Sequence, residues 1–134
     1  MLIEISEQTK KGFEQACEKL GLPNQLPDNS FMRPDLALWN TGVYMLGVIT
    51  EAENDGVIND ITNHEVLKYE PWFVADHGYV PGESDPSGFR LDGAHYDSAA
   101  SDVGARLTST SREKCKELAS KYPDLYQIVY LNIR

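Results

Sequence analysis

The sequence predicts an α+β fold in which two N-terminal helices and a C-terminal helix pack on one face of a small, mostly antiparallel sheet. Three patterns carry this reading. Apolar residues recur at helical spacing towards both ends, strand formers fill the middle, and stretches rich in Pro, Gly, Asn and Asp separate these segments. The 134 residues read as a single domain, 1–134, long enough to bury on the order of two-thirds of its unfolded surface.

The first helix is expected from Glu7 to Leu20. Phe13, Ala16, Cys17 and Leu20 form an i, i+3, i+4, i+7 stripe, Ser6 is available as N-cap, and Gly21 supplies a stop. Residues 22 to 34 hold Pro23, Pro27 and Pro34 among Asn and Asp, so they connect rather than continue a helix. From Asp35 to about Asn54 the chain is apolar round most of a helical circumference, as suits a central helix. Gly42 and Gly47 weaken that helix by roughly 1 kcal/mol each unless close packing offsets the loss. Gly56 is a plausible terminator, and residues 54 to 64 read as a loop.

The period then falls towards two. Residues 66 to 70 and 72 to 75 read as strand, with Pro71 marking an edge or a bulge. Ser87 to Leu91 and Val103 to Leu107 read as two further short strands, separated by long polar loops, Asp76 to Pro86 and Asp92 to Asp102. Thr110-Ser111-Arg112-Glu113 has the form of a capping box that opens a last helix. Pro123 should make that helix kink or restart near Lys121-Tyr122.

With 12 basic against 21 acidic side chains the formal charge is −9, which opposes sequence-independent binding to duplex phosphate. The longest apolar run, Val43 to Ile49, is broken by Gly47 and falls far short of the roughly 20 residues that span a bilayer. The start lacks the basic head and apolar core of a secretion signal, so the expected location is the cytoplasm of whatever cell makes the protein, without a membrane partner. Cys17 and Cys115, on apolar helical faces and without CxxC spacing, read as buried free thiols.

The densest polar group is Arg90, Asp92, His95, Tyr96 and Asp97, with Arg106 beyond it. There His95 with Asp92 or Asp97 would make an acid/base pair, and the arginines would hold an anion. Tyr69, Trp72, Phe73, Phe89 and Tyr96 make the middle of the chain aromatic, and core packing is the first explanation. A sheet showing Trp72, Phe73 and Phe89 beside Arg106 would instead stack single-stranded bases, although residues 76 to 102 hold six acids against one Arg. Those acids would equally present a negative face to a basic partner. His64, His77 and His95 lack metal-ligand spacing, and nucleophile-elbow, phosphate-loop and dinucleotide motifs are missing, so no metal or cofactor is expected.

The series Lys68-Tyr69-Glu70-Pro71-Trp72-Phe73, then Ser87-Gly88-Phe89, Val103-Gly104-Ala105-Arg106-Leu107 and Ser111-Arg112-Glu113 resembles small proteins encoded by bacteriophages and prophages of Bacteroidota. In these a K-Y-x-P-W-F strand precedes S-G-F, V-G-S/A-R-L and a helix starting S-R-E. The stretch Asp76 to Pro86 and Pro123 depart from that pattern. The resemblance implies a phage or prophage accessory gene and a compact α+β domain, and no particular reaction. The expected function is therefore non-enzymatic binding of a host or phage macromolecule or a small signalling ligand, with an anti-defence role among its outcomes. The site is expected in Arg90, Asp92, His95, Tyr96, Asp97, Arg106, Trp72 and Phe73. A single-stranded nucleic-acid-binding helper of replication or recombination, a minor virion component, an enzyme built on His95, and self-association all stay open.

Overall fold

A computed structural model describes residues 3–60, 62–97 and 105–131, with the side chains of residues 97 and 105 excepted. Within these the chain is α+β: four helices and one two-stranded antiparallel sheet.

Helix α1, Glu7–Leu20, has the predicted limits. The Ser6 hydroxyl accepts from Thr9 N at 3.2 Å. Gly21 ends the helix in the left-handed region at φ 70°, where its N–H reaches Glu18 O while that of Leu22 reaches Cys17 O. This paired arrangement satisfies two terminal carbonyls. Helix α2, Pro34–Glu53, opens on a proline whose missing N–H has no intrahelical acceptor to lose. It stops through Asp55, itself left-handed at φ 56°, with Gly56 N donating to Glu51 O. Asp55 also accepts from Lys19 and Lys114, which holds its carboxyl below the usual carboxylate range and links the end of α1 to the last third of the chain.

The predicted capping box shifts by one residue. Helix α3, Arg112–Lys121, is capped by Ser111, which accepts from Lys114 N, because Thr110 is engaged elsewhere. Its N–H and hydroxyl both donate to Asn54 Oδ1. The break at Tyr122 falls where expected, and Pro123 opens helix α4, Pro123–Leu131. Asp124 in the first turn of α4 accepts from Thr9 Oγ1 and Ser6 N, fastening the start of α1.

The core is mainly helical. Phe13, Ala16 and Cys17 of α1, Met45, Leu46 and Ile49 of α2, Leu118 of α3 and Leu125 and Tyr126 of α4 form one buried cluster, against which Phe73, Leu91 and Leu107 pack. Both cysteines are buried and unbridged.

Strand β1, Lys68–Ala75, merges the two predicted segments, and β2, Phe89–Asp97, pairs with it from Lys68↔Asp97 to Ala75↔Phe89. Three expectations are corrected here. Ser87 and Gly88, expected as the start of a strand, belong to a 3-10 turn, Pro86–Gly88. The segment 92–97, expected as loop, is strand: Ala94 and Tyr96 pair with Pro71 and Tyr69, and an irregularity opposite Trp72 and Phe73 takes up Asp92 as an extra residue. Residues 105–107, expected as strand, form a 3-10 turn whose Leu107 packs on the core, while residues 103 and 104 lie outside the described residues. Sheet pairing at this point is a single bridge, Tyr69↔Ser109.

That bridge accounts for Pro71. Tyr69 exchanges both backbone hydrogen bonds with Ser109, so its N–H and C=O face away from β2, and two residues on Pro71 faces the same way. The ladder to β2 therefore loses no donor. Behind the bridge, Asn54 Nδ2 donates to Thr108 O at 2.9 Å and Asn59 Nδ2 to Thr108 Oγ1 at 2.8 Å, all in buried positions.

The two helical glycines of α2 differ in surroundings. A Cβ on Gly42 would stand 2.8 Å from Ile128 Cγ2 of α4, whereas one on Gly47 meets nothing within 4 Å. Urea titration should show Gly47→Ala stabilising the protein by about 0.5–1 kcal/mol, through helix propensity alone. Gly42→Ala should instead destabilise it, by about 1–3 kcal/mol of overpacking.

Candidate functional site

The expected site residues do not converge on one centre. Trp72, His95 and Tyr96 share the hairpin. The Trp72 indole lies 5.9 Å from the His95 ring, Gly93 placing no side chain directly opposite it, and Trp72 and Tyr96 are each 53% exposed. Tyr96 stands 6.2 Å from Tyr69 across the strands. The guanidinium of Arg112 covers both rings, at 5.7 and 5.9 Å, and donates to Ala94 O at 3.0 Å. Position 112 entered the sequence reading only as part of a helix-start motif; its cation–π role depends on where α3 docks, which no local pattern encodes.

Phe73 turns inward. It stacks on Phe89 at 4.7 Å and meets Tyr126 at 5.3 Å, and Tyr79 stacks on the far side of Phe89 at 5.9 Å. The loop from Asp76 to Pro86 is thus folded back on the strand ends. It is stitched by Asp76 N to Gly88 O, Tyr79 N to Asp76 O and Ser84 N to Val80 O.

The charged candidates are dispersed. Arg90 pairs with Asp76 at 3.1 Å, and Arg106 lies off the sheet against Glu51 at 3.4 Å. Asp92 is exposed in the irregular stretch of β2 and makes no hydrogen bond to His95. Asp97 holds the register position opposite Lys68, its side chain lying outside the described residues. No acid/base pair is therefore assembled between His95 and Asp92, and no group of three His, Cys, Asp or Glu among the described residues is placed to hold a metal ion.

A groove of about 280 Å³ opens between the hairpin and the end of α4, lined by Glu70, Trp72, Phe73, Phe89, Tyr130 and Leu131 among others. Its walls are mostly aromatic, and Glu70 brings a carboxylate. That negative charge also acts on two groups beneath it. Burial first, and then Glu70, push the Cys115 thiol up to about 12 and raise the Tyr130 phenol above its ordinary value. Cys115 is wholly buried and held as the thiol, which removes it as a nucleophile. A second, polar recess of about 430 Å³ lies beside Gln8, Lys11, Gln15 and Tyr122, where Lys121 is already paired with Glu117 at 2.7 Å.

Sequence reasoning also passed over an apolar surface at the start of α2. Phe31 is 81% exposed, and Leu36 and Trp39 are exposed beside it in sequence, with Trp39 Nε1 donating to Val129 O. Phe31 fell in the stretch 22–34 read as a connector, and Leu36 and Trp39 in a helix read as apolar round most of its circumference, so the three were not joined into one surface.

No family model matches this chain, and no curated protein or solved structure matches it either.

Two substitutions separate the supports of this face. The Tyr130 hydroxyl is buried without a hydrogen-bond partner among the described residues, so Tyr130→Phe should leave stability unchanged or raise it by up to about 1 kcal/mol. Arg112→Ala removes a carbonyl contact and two ring contacts and should lower stability by about 1–2 kcal/mol, both measured by urea titration.

Proposed function

We propose that this chain is a non-enzymatic binding protein, an accessory factor of phage or prophage origin that acts in the host cytoplasm by docking a host or phage protein on the hairpin face around Trp72 and His95, with Tyr96 on the opposite face beside Arg112. The observation that carries the reading is a half-exposed Trp72 beside the exposed His95 on the hairpin face opposite the one that α3 braces through Arg112. Aromatic anchors of this kind, held in place before the partner arrives, dominate the energetics of protein interfaces because little side-chain freedom is lost on docking. Phage origin rests on the motif series from Lys68 to Glu113. Among the described residues no helix is long and apolar enough to cross a membrane.

The base-stacking alternative draws on the same exposed indole. It is weakened by Arg90 and Arg106, each of which already faces a carboxylate, and by Phe89, which is buried.

A photo-cross-linking residue at position 95, in cells that carry the gene, tests the proposal. A discrete protein adduct is expected from position 95, lost on adding Trp72→Ala and absent when the cross-linker sits at exposed position 64. Equal adducts from both positions would overturn it. So would quenching of purified protein by an oligonucleotide at low salt that fades as salt rises, since that transfers the face to single-stranded nucleic acid.

A further inference from the structure

We propose that the outer edge of β1, from Phe73 to Ala75, takes up an extended segment of the docked partner as an added strand, laid in the groove between this edge and the end of α4. The inference rests on the binding-face reading above and adds the form in which the partner is held.

The backbone directions follow from the two ends of β1. At one end Tyr69 exchanges both its hydrogen bonds with Ser109, away from β2, and just past the other Asp76 N donates to Gly88 O, on the β2 side. Backbone direction alternates along a strand, so the main chain of Trp72 and Val74 bonds to β2 while that of Pro71, Phe73 and Ala75 faces outward. The irregularity adds its extra residue to β2 and leaves the alternation in β1 unbroken. Among the described residues, the outward N–H and C=O groups of Phe73 and Ala75 have no backbone partner. Such a row is a template for pairing with another chain.

The groove runs along this edge. Pro71, Trp72 and Phe73 are consecutive, and their side chains alternate between the faces of the sheet, so a groove lined by all three and by Ala75 passes the strand edge itself. Tyr130 and Leu131 make its other wall. The occupant is then set by the edge groups. A docked helix has already satisfied its own backbone and would leave them unanswered, whereas an extended chain carries donors and acceptors at the matching repeat. The molecule pairs this edge with its own backbone once, at Ser109, and Pro71, which has no N–H, divides that bridge from the open part. On the outer side of β2, by contrast, Ala94 O is taken by Arg112.

The test uses the whole protein labelled with ¹⁵N and the peptide acetyl-Lys-Thr-Val-Thr-Val-Thr-Lys-amide, made of strand formers with basic ends that suit a chain of formal charge −9. With a Kd of about 1–10 mM, about 20 mM peptide should slow hydrogen exchange of the Phe73 and Ala75 amides about 3- to 20-fold. Trp72 and Val74, bonded to β2, should not change. N-methylation of the three central peptide residues blocks both edges and should weaken binding at least about tenfold, whereas N-methylation of the two valines alone leaves one edge open and should cost about twofold at most. Ala75→Pro, its fold verified by the amide spectrum, removes an outward N–H without touching the ladder and should weaken the peptide about five- to tenfold. Phe73 and Ala75 amides already as slow as Trp72 and Val74 in the free protein would overturn the added strand. So would equal binding by the two methylated peptides, or no slowing up to about 50 mM. Protein adducts from position 95 together with any of those results would leave the binding face standing and remove only the strand.

Discussion

One buried side chain, Asn54, ties the end of α2 to the segment that carries the Tyr69 bridge, alongside the packing of Phe73, Leu91 and Leu107 on the helical core. It sits at the C-terminal end of α2 and uses both ends of its amide on a single passing segment. Nδ2 donates to Thr108 O, and Oδ1 accepts from the Thr110 N–H and hydroxyl. Asn59 adds a second buried amide on Thr108. Only a residue with a donor and an acceptor on one short stem can do this: Asp lacks the donor and Leu lacks both. Each buried partner left unmade costs about 1–3 kcal/mol, a large share of a typical domain's net stability.

Segment 108–110, once clasped, dictates what lies on either side of it. Ser109 exchanges two backbone hydrogen bonds with Tyr69 and so fixes which way β1 faces. Ser111 follows at once as the cap of α3, which lays Arg112 across Tyr69 and Tyr96. The direction of Tyr69 makes Pro71 harmless, and one residue later Trp72 faces solvent while Phe73 enters the helical core. The binding face is thus the exposed end of a chain of constraints that begins in the helical layer.

How much of this is legible in the sequence depends on how local its cause is. Helix α1 was readable because Phe13, Ala16, Cys17 and Leu20 repeat within fourteen residues and Gly21 closes them. The division of α3 from α4 was readable because Pro123 cannot donate. The capping residue was misplaced by one because Thr110 has the right chemistry, and only the distant Asn54 diverts it. Residues 92–97 read as loop because Asp92 and Gly93 are turn formers, yet an irregularity in the register absorbs them and the strand continues. Gly42 and Gly47 look alike in sequence and differ only in whether Ile128 stands opposite. The candidate site suffered most, since the approach of Glu70 to Tyr130 and of Arg112 to Tyr96 joins segments far apart in the chain.

The Asn54 clasp, beyond what the packing of Phe73 and Leu91 on the core supplies, holds the hairpin and its binding face in place. Native-state hydrogen exchange of Asn54→Ala tests it directly. The Tyr69 and Ser109 amides should exchange faster, about tenfold for each 1.4 kcal/mol of clasp energy lost, while Leu46 in α2 and Leu125 in α4 keep their protection. Equal acceleration at all four positions, or none at Tyr69 and Ser109, would contradict the account.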